Sequence, residues 1–407
     1  MQNEAREIEG GVLAAKGFRA AGVEAGIKYA NRKDVALLVA DGPCAAAAVF
    51  TTNKVAAAPV VYDRKIAEGG TVQAILANSG CANACTGEEG RRDAEKSALA
   101  VARKLGIDPK HVMVASTGVI GRRLPMDRLE AGLEKAAAAL GATSAHALDA
   151  AQAIMTTDTR PKQAAAQVEI GSRLVTVGGM AKGSGMIEPN MATMLAFIAT
   201  DAAITPEMLR RAIKLAVAKS FNRVVVDGDE STNDSLFLLA SGAAGNGLID
   251  RAGEDFDAFM SALEKVAVSL ARQMAADGEG ATKFVTVRVK GARTEYDAER
   301  AARAIAKSPL AKTSWFGRDP NWGRVLAAAG YSGADVCDMC AEIYYGDVCA
   351  YDKGKLADEA RLRKLAEVMQ AKELEITVNL NLGNGEAAIY TCDFSLDYVH
   401  INADYTT

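Results

Sequence analysis

Short apolar runs and helical apolar periods alternate irregularly along this chain. Val35–Ala40, Val72–Ala77, Val112–Ala115 and Val224–Val226 are compact enough for buried strands. Phe284–Val289 and Leu374–Leu380 alternate apolar and polar positions, as half-buried strands do. The 3.6-residue period covers Arg91–Leu105, Asp127–Leu140, Pro206–Phe221, Asp255–Ala276 and Tyr296–Lys307. Thr205 supplies an N-cap with Pro206 at the first helical position, and Asp127 is the expected cap of its own helix. The irregular alternation, with successive strands toward the C-terminus, predicts an α+β fold of layered sheets and helices rather than a doubly wound sheet. No internal repeat or low-complexity linker divides the chain. The expected seam is the Gly-rich stretch Gly178–Leu195 near its middle.

Composition narrows the class. The 407 residues are 49% hydrophobic and 24% charged, which fits an ordinary globular protein with two or three core-forming units. A net charge of −4 gives no general electrostatic grip on nucleic acid. No run reaches the roughly 18 apolar residues of a membrane span. The first residues, Met1–Glu9, lack a basic-then-apolar leader pattern, so a cytoplasmic location is expected. Among seven cysteines, Cys81 and Cys85 form a C-x3-C and Cys337 and Cys340 a C-x-x-C. Four thiolates could hold zinc if the fold joined the pairs, but the first spacing is loose and reduced thiols are the simpler reading. The three histidines, His111, His146 and His400, have no metal-like or triad-like neighbours. No metal is expected.

The Gly-rich stretch carries the most specific chemistry. It places a hydroxyl, Thr193, directly after a small residue, Ala192, with an apolar run following. That layout suits a protein that cuts its own backbone before Thr193. A threonine hydroxyl is a weak nucleophile until a base takes its proton. The α-amine freed by such a cut has a reference pKa of about 7.7–8.0, so roughly a tenth is neutral at pH 7. Processing would thus create a base with no histidine involved. Gly178, Gly179, Gly183 and Gly185 can supply unusual dihedrals nearby, and Pro189 stiffens the approach. Pattern alone still favours a glycine loop running into a buried strand. A phosphate loop needs Gly-Lys followed directly by Ser or Thr, whereas Lys182-Gly183-Ser184 puts the lysine one place early. Ala115-Ser-Thr-Gly-Val-Ile-Gly121 follows a predicted strand and could offer donors to an oxyanion.

Taken in order, these segments resemble the ornithine acetyltransferase family of arginine biosynthesis, the bifunctional glutamate N-acetyltransferases. The resemblance runs nearly end to end. Its first half rests on Gly11–Phe18, Gly26-Ile-Lys28, Phe50-Thr-Thr-Asn53, Asn78-Ser-Gly80, Ser116–Gly121, Thr156-Thr-Asp-Thr159, Lys182–Ile187 and Met191–Leu195. Its second half rests on Asp227–Asp234, Asp277–Lys283, Asp319–Arg324 and Tyr398–Thr407.

The resemblance implies self-cleavage between Ala192 and Thr193 into an α chain, 1–192, and a β chain, 193–407, that stay associated, as α2β2. Thr193 would take acetyl from N2-acetylornithine, release ornithine and pass the acetyl to glutamate, with ping-pong kinetics. Thr117 and Gly118 match the family's oxyanion positions; Thr159, Lys182, Thr193, Glu279, Asn402 and Thr407 match its substrate contacts. Lys182 suits an α-carboxylate, and Glu279 is one candidate for the ornithine side-chain cation. No cofactor is implied, and acetyl-CoA is a possible second donor that the residues do not decide. The acid-rich Asp227–Asp234 could attract a metal by composition, but the family gives no reason to expect one. The competing readings are a self-processing aminopeptidase or amidohydrolase, in which water resolves the acyl-enzyme, and a non-enzymatic amino-acid-binding or nucleotide-binding protein.

Overall fold

The computed structural model describes residues 4–188 and 194–404. Sixteen strands are found among them: β1 Arg6–Ile8, β2 Phe18–Val23, β3 Val35–Phe50, β4 Thr71–Asn78, β5 Val112–Ser116, β6 Lys162–Ile170, β7 Arg173–Lys182, β8 Leu195–Thr200, β9 Val224–Val225, β10 Ser235–Ala240, β11 Phe284–Ala292, β12 Glu342–Tyr345, β13 Val348–Asp352, β14 Lys355–Leu356, β15 Glu373–Asn379 and β16 Gly385–Cys392. Nine form one sheet, in the order β1-β6-β7-β8-β10-β3-β4-β5 with β2 also on β3; seven form a second, β14-β13-β12-β15-β11-β16-β9.

The first sheet folds over on itself. The register of β3 against β4 slips between Val39 and Cys44, where Asp41-Gly42-Pro43 interrupts the ladder. Before the slip β3 pairs with β2, and after it with β10. Both halves then contribute to one inner core: Ala36, Leu38, Ile75 and Met113 from one, Leu195, Phe197, Phe237 and Leu239 from the other. Phe197 stacks on Phe237 with ring centroids 5.3 Å apart. Helices cover the outer faces. Pro206–Lys219 and Glu254–Ala276 lie over the β6–β8 and β10 half, and Gly87–Leu105 and Met126–Ala138 over the β3–β5 half. Burial on both sides makes β5, β8 and β10 continuously apolar or small rather than alternating.

The second sheet sends Phe284 and Cys392 into the core under helix Glu254–Ala276. Its other face, with Val285, Val287, Ile376 and Ile389, packs on helices Glu295–Lys307, Pro309–Phe316 and Trp322–Gly330. The layered α+β expectation therefore holds, as two helix-covered sheets.

Several local expectations need correction. The stretch Gly178–Leu195 is no seam between folded units, because β7 and β8 are antiparallel neighbours, paired from Val177↔Thr200 to Lys182↔Leu195. Gly178 and Gly179 lie inside β7 and serve close packing. A Cβ at Gly178 would strike the Gly11 carbonyl, and one at Gly179 would come within 2.9 Å of Leu270. Asp127 is not an N-cap; its helix begins at Met126 behind Pro125, and Asp127 sits in the first turn, where a negative charge suits the helix dipole. Thr205 does cap its helix, its hydroxyl oxygen accepting from Met208 N at 3.3 Å. Cys337 and Cys340 are joined in a disulfide rather than reduced. No His/Cys/Asp/Glu group fit for a metal occurs among the described residues. None of their helices is long and apolar enough to cross a membrane.

Candidate active site

Strand ends from both halves of the folded sheet converge on one cavity of about 140 Å³. Thr117 and Gly118 follow β5; Lys182 ends β7; Met194 precedes β8 and Asp234 precedes β10. Glu279 comes from the turn after helix Glu254–Ala276, and Asn402 from the C-terminal helix Leu396–Asp404. Stretches that are remote in sequence thus supply one pocket wall.

Thr117 is held by its surroundings. Its backbone N–H donates to Asn78 O at 3.0 Å. The neighbouring Ser116 hydroxyl donates to Asn78 Oδ1 at 2.7 Å, and Asn78 Nδ2 donates to Cys81 O at 2.9 Å. Asn233 clamps the same two turns, its amide donating to Ala82 O at 2.6 Å and Ser116 O at 2.8 Å. Gly118 is required here: it has φ +127°, and a Cβ would sit 2.5 Å from the Gly80 carbonyl carbon and 2.7 Å from Cys81 N. Among the described residues, the Gly118 N–H has no hydrogen-bond acceptor.

Lys182 is buried, and its Nζ donates to Thr117 Oγ1 at 3.2 Å. An ammonium has donors only, so Thr117 accepts, and its own hydroxyl hydrogen stays available for a third group. Burial pulls the lysine pKa down, against the pull of Asp158, Asp234 and Glu279 upward. Directly behind it lies a fully buried ion cluster. Lys162 Nζ contacts Asp158 Oδ1 at 2.6 Å and Asp277 Oδ2 at 2.5 Å. Burial opposes ionisation of Asp158, but Lys162 and Lys182 together hold it down at about 2. Asp158 also accepts the Gly183 N–H at 2.8 Å and the Thr156 N–H at 2.9 Å, which fixes the backbone on either side of the site.

The segment before Thr193 is stapled to the acid-rich turn. Asp227 accepts from Met186 N at 2.6 Å and Ile187 N at 2.8 Å. Glu188 N donates to Asp229 O, and Ser235 N to Met194 O, at 3.0 and 2.9 Å. Asp227 also accepts the Asp229 N–H at 3.2 Å, so this carboxylate faces backbone N–H groups. Glu279 accepts from Asn402 Nδ2 at 2.8 Å, and Gly185 leaves the room its carboxylate needs, since a Cβ there would overlap it.

Of the expected site residues, the fold gathers Thr117, Gly118, Lys182, Glu279 and Asn402 around one cavity. Thr159 stands apart: Thr156 and Thr157 line the cavity, while the Thr159 hydroxyl donates to Asp277. Ala192, Thr193 and Thr407 lie outside the described residues, as does Pro189. Asp158, Lys162, Asp277, Asn233 and Asp234 escape the sequence reading as site residues. Asp158, Asn233, Asp234 and Asp277 fall inside motifs noted for other reasons, whereas Lys162 stands in no pattern at all.

The sequence profile of the ArgJ family matches residues 19–407. The arginine biosynthesis bifunctional protein ArgJ of Symbiobacterium thermophilum is 53% identical over 404 residues, which cover 98% of this chain and 99% of that protein. The protein of the same name from Geobacter sulfurreducens is 50% identical over 395 residues, covering 97% of this chain and 100% of its own length. Among solved structures, ornithine acetyltransferase from Mycobacterium tuberculosis in complex with ornithine is 44% identical. It matches 47% of this chain and 99% of its own, with a TM-score of 0.43.

Proposed function

The chain belongs to the ArgJ family and is an acetyltransferase of arginine biosynthesis, and on that premise we propose that it moves acetyl from N2-acetylornithine to glutamate through an acetyl ester on Thr193. One observation carries the reading: buried Lys182 donates to the Thr117 hydroxyl in a cavity whose wall includes Met194, one peptide bond from Thr193. A cation, an oriented hydroxyl and the chain next to a candidate nucleophile share a single pocket.

The chain first cuts itself between Ala192 and Thr193, giving α and β chains. Pairing of β7 with β8 supports their staying together, because the cut falls between the two strands in sequence and breaks no bond of their ladder. The Thr193 amine then takes the hydroxyl proton as Oγ attacks the acetyl carbonyl. The Thr117 hydroxyl and the Gly118 N–H stabilise the oxyanion. Lys182 pairs with the substrate carboxylate, Glu279 and Asn402 close the rim, and Thr159 and Thr407 complete the substrate contacts. Ornithine leaves with the proton held by the amine, and glutamate retraces the path. The reading carries with it a cytoplasmic location, an α2β2 assembly, no cofactor, and acetyl-CoA as a second donor for glutamate.

Acetylornithine alone should add one acetyl group to the peptide beginning at Thr193, seen by mass spectrometry, and glutamate should discharge it as N-acetylglutamate. Ornithine release that ignores glutamate, with free acetate formed, would instead mark an amidohydrolase. Thr117→Val keeps the shape and removes one oxyanion donor, so kcat should fall by about 10²-fold or more with little change in melting temperature. An unchanged kcat would remove Thr117 from the mechanism.

A further inference from the structure

The Thr117–Gly118 turn is gripped from a part of the chain to which the scheme above gives no task. Asn233 lies in the acid-rich turn before β10 and is buried. It spends both hydrogens of its side-chain amide on main-chain carbonyls, Ala82 O at 2.6 Å and Ser116 O at 2.8 Å. The amide is oriented from its other end, where Oδ1 accepts the Thr232 hydroxyl at 2.5 Å. The Asn233 N–H in turn donates to Ser231 Oγ at 3.1 Å.

The Ser116 carbonyl is one end of the peptide unit that leads into Thr117. The other end, the Thr117 N–H, donates to Asn78 O at 3.0 Å. A peptide unit is planar, so fixing its carbonyl and its N–H fixes the plane from which Thr117 departs. The two turns meet backbone to backbone. Cys81 bridges both Thr117 and Val119, and Ala82 N donates to Val119 O at 3.0 Å. Gly118 is pressed so closely on Gly80 and Cys81 that no Cβ fits. Asn78 ties these turns at their base, from the end of β4. Asn233 ties them from 117 residues beyond Ser116, with one bond to each turn. Loss of those bonds would let Thr117 and Gly118 shift against Lys182, which comes from a separate strand.

We propose that Asn233 is a positioning residue for acetyl transfer: it holds the Ser116–Thr117 peptide so that the Thr117 hydroxyl and the Gly118 N–H converge on the oxyanion. The proposal rests on the reading of Thr117 and Gly118 as oxyanion donors. Asn233 acts through those donors rather than on the substrate. It also crosses the division at residue 192, since donors in the first half are aligned by an amide in the second. Misplacing a group by about 1 Å can cost about 10²-fold in rate. The oxyanion exists only in the transition state and the intermediate, so the loss falls on kcat rather than on substrate binding. The same donors serve both half-reactions, which keeps KM in place when both slow together.

Steady-state transfer from acetylornithine to glutamate by processed protein is the test. Asn233→Ala removes both donors, and Asn233→Asp sets a carboxylate oxygen against two carbonyls. Each should lower kcat by about 10- to 10²-fold and leave KM for acetylornithine within about twofold. An unchanged kcat, or a loss carried by KM, overturns the proposal. Thr117→Val supplies a second readout. The double variant Thr117→Val with Asn233→Ala should lose markedly less than the product of the two single losses, because both act on one set of donors. Fully multiplicative losses would mark a merely structural role and overturn the proposal as well. If the Asn233 variants fail to fold or to process, Thr232→Val decides. It removes only the hydroxyl that orients the amide, so kcat should fall severalfold with KM unmoved, and a wild-type kcat overturns the proposal. A Thr117→Val enzyme with unchanged kcat overturns the oxyanion reading and this one together. A slowed Thr117→Val enzyme beside Asn233→Ala at wild-type kcat overturns this one alone.

Discussion

Thr193→Ala is expected to leave the chain uncut and to lower acetyl transfer by about four to six orders of magnitude. Alanine has no hydroxyl to attack the Ala192 carbonyl, so no second N-terminus forms. The same deletion removes both the nucleophile and the amine that would activate it. Denaturing electrophoresis reads the outcome directly. Active wild type should give two bands of similar size, residues 1–192 and 193–407, and the variant one band. Under native conditions both should elute as the same particle, because the paired β7 and β8 bridge the cut. Thr193→Ser keeps the hydroxyl and should still process. An active wild-type protein that runs as a single full-length band would end the self-cleavage reading.

Lys162→Met should be the most damaging substitution away from the reacting atoms. It leaves Asp158 and Asp277 buried without the cation that both contact. Breaking a buried ion cluster by removing one partner costs about 3–5 kcal/mol, mostly as uncompensated charge. Denaturant titration should show that loss in the midpoint. Activity should fall too, since Asp158 also holds the Gly183 N–H beside Lys182. The cluster carries a pH signature of known sign. Asp158 is held near 2 in the folded chain against 3.8 for a free side chain. Its stabilisation is therefore fully present above pH 3.8 and disappears as the pH falls toward 2. The variant should lose much of that acid dependence, because the cation that depresses Asp158 is gone. A Lys162→Met protein with wild-type stability at neutral pH would show that the cluster is not what holds this wall.

Much of the fold was legible locally. The runs at Val35, Val72, Val112 and Phe284 became strands, and the helix at Pro206 starts where its threonine cap and proline said it would. β6 and β7 were less readable, since their alanines and glycines give no strong period; their strand state depends on neighbours close enough to exclude larger side chains. The short helices Ser144–Ala153 and Pro309–Phe316 were missed for a similar reason, being too brief to display a period.

The candidate site divides in the same way. Ordered motifs alone were enough to single out Thr117, Gly118, Lys182, Glu279 and Asn402, because each sits in a distinctive local string. No local string could show that Lys162 lies between Asp158 and Asp277, or that Asn233 reaches the Ser116 carbonyl. Those relations arise where strand ends from two halves of a folded-over sheet meet. By itself the sequence determined the family and most of the element types and singled out Thr193 as the candidate nucleophile, since these depend on residue order and short-range periodicity. Only the tertiary structure decided which charges are buried together and which amide clamps the turn at Thr117, since desolvation and pairing depend on contacts between residues far apart in the chain.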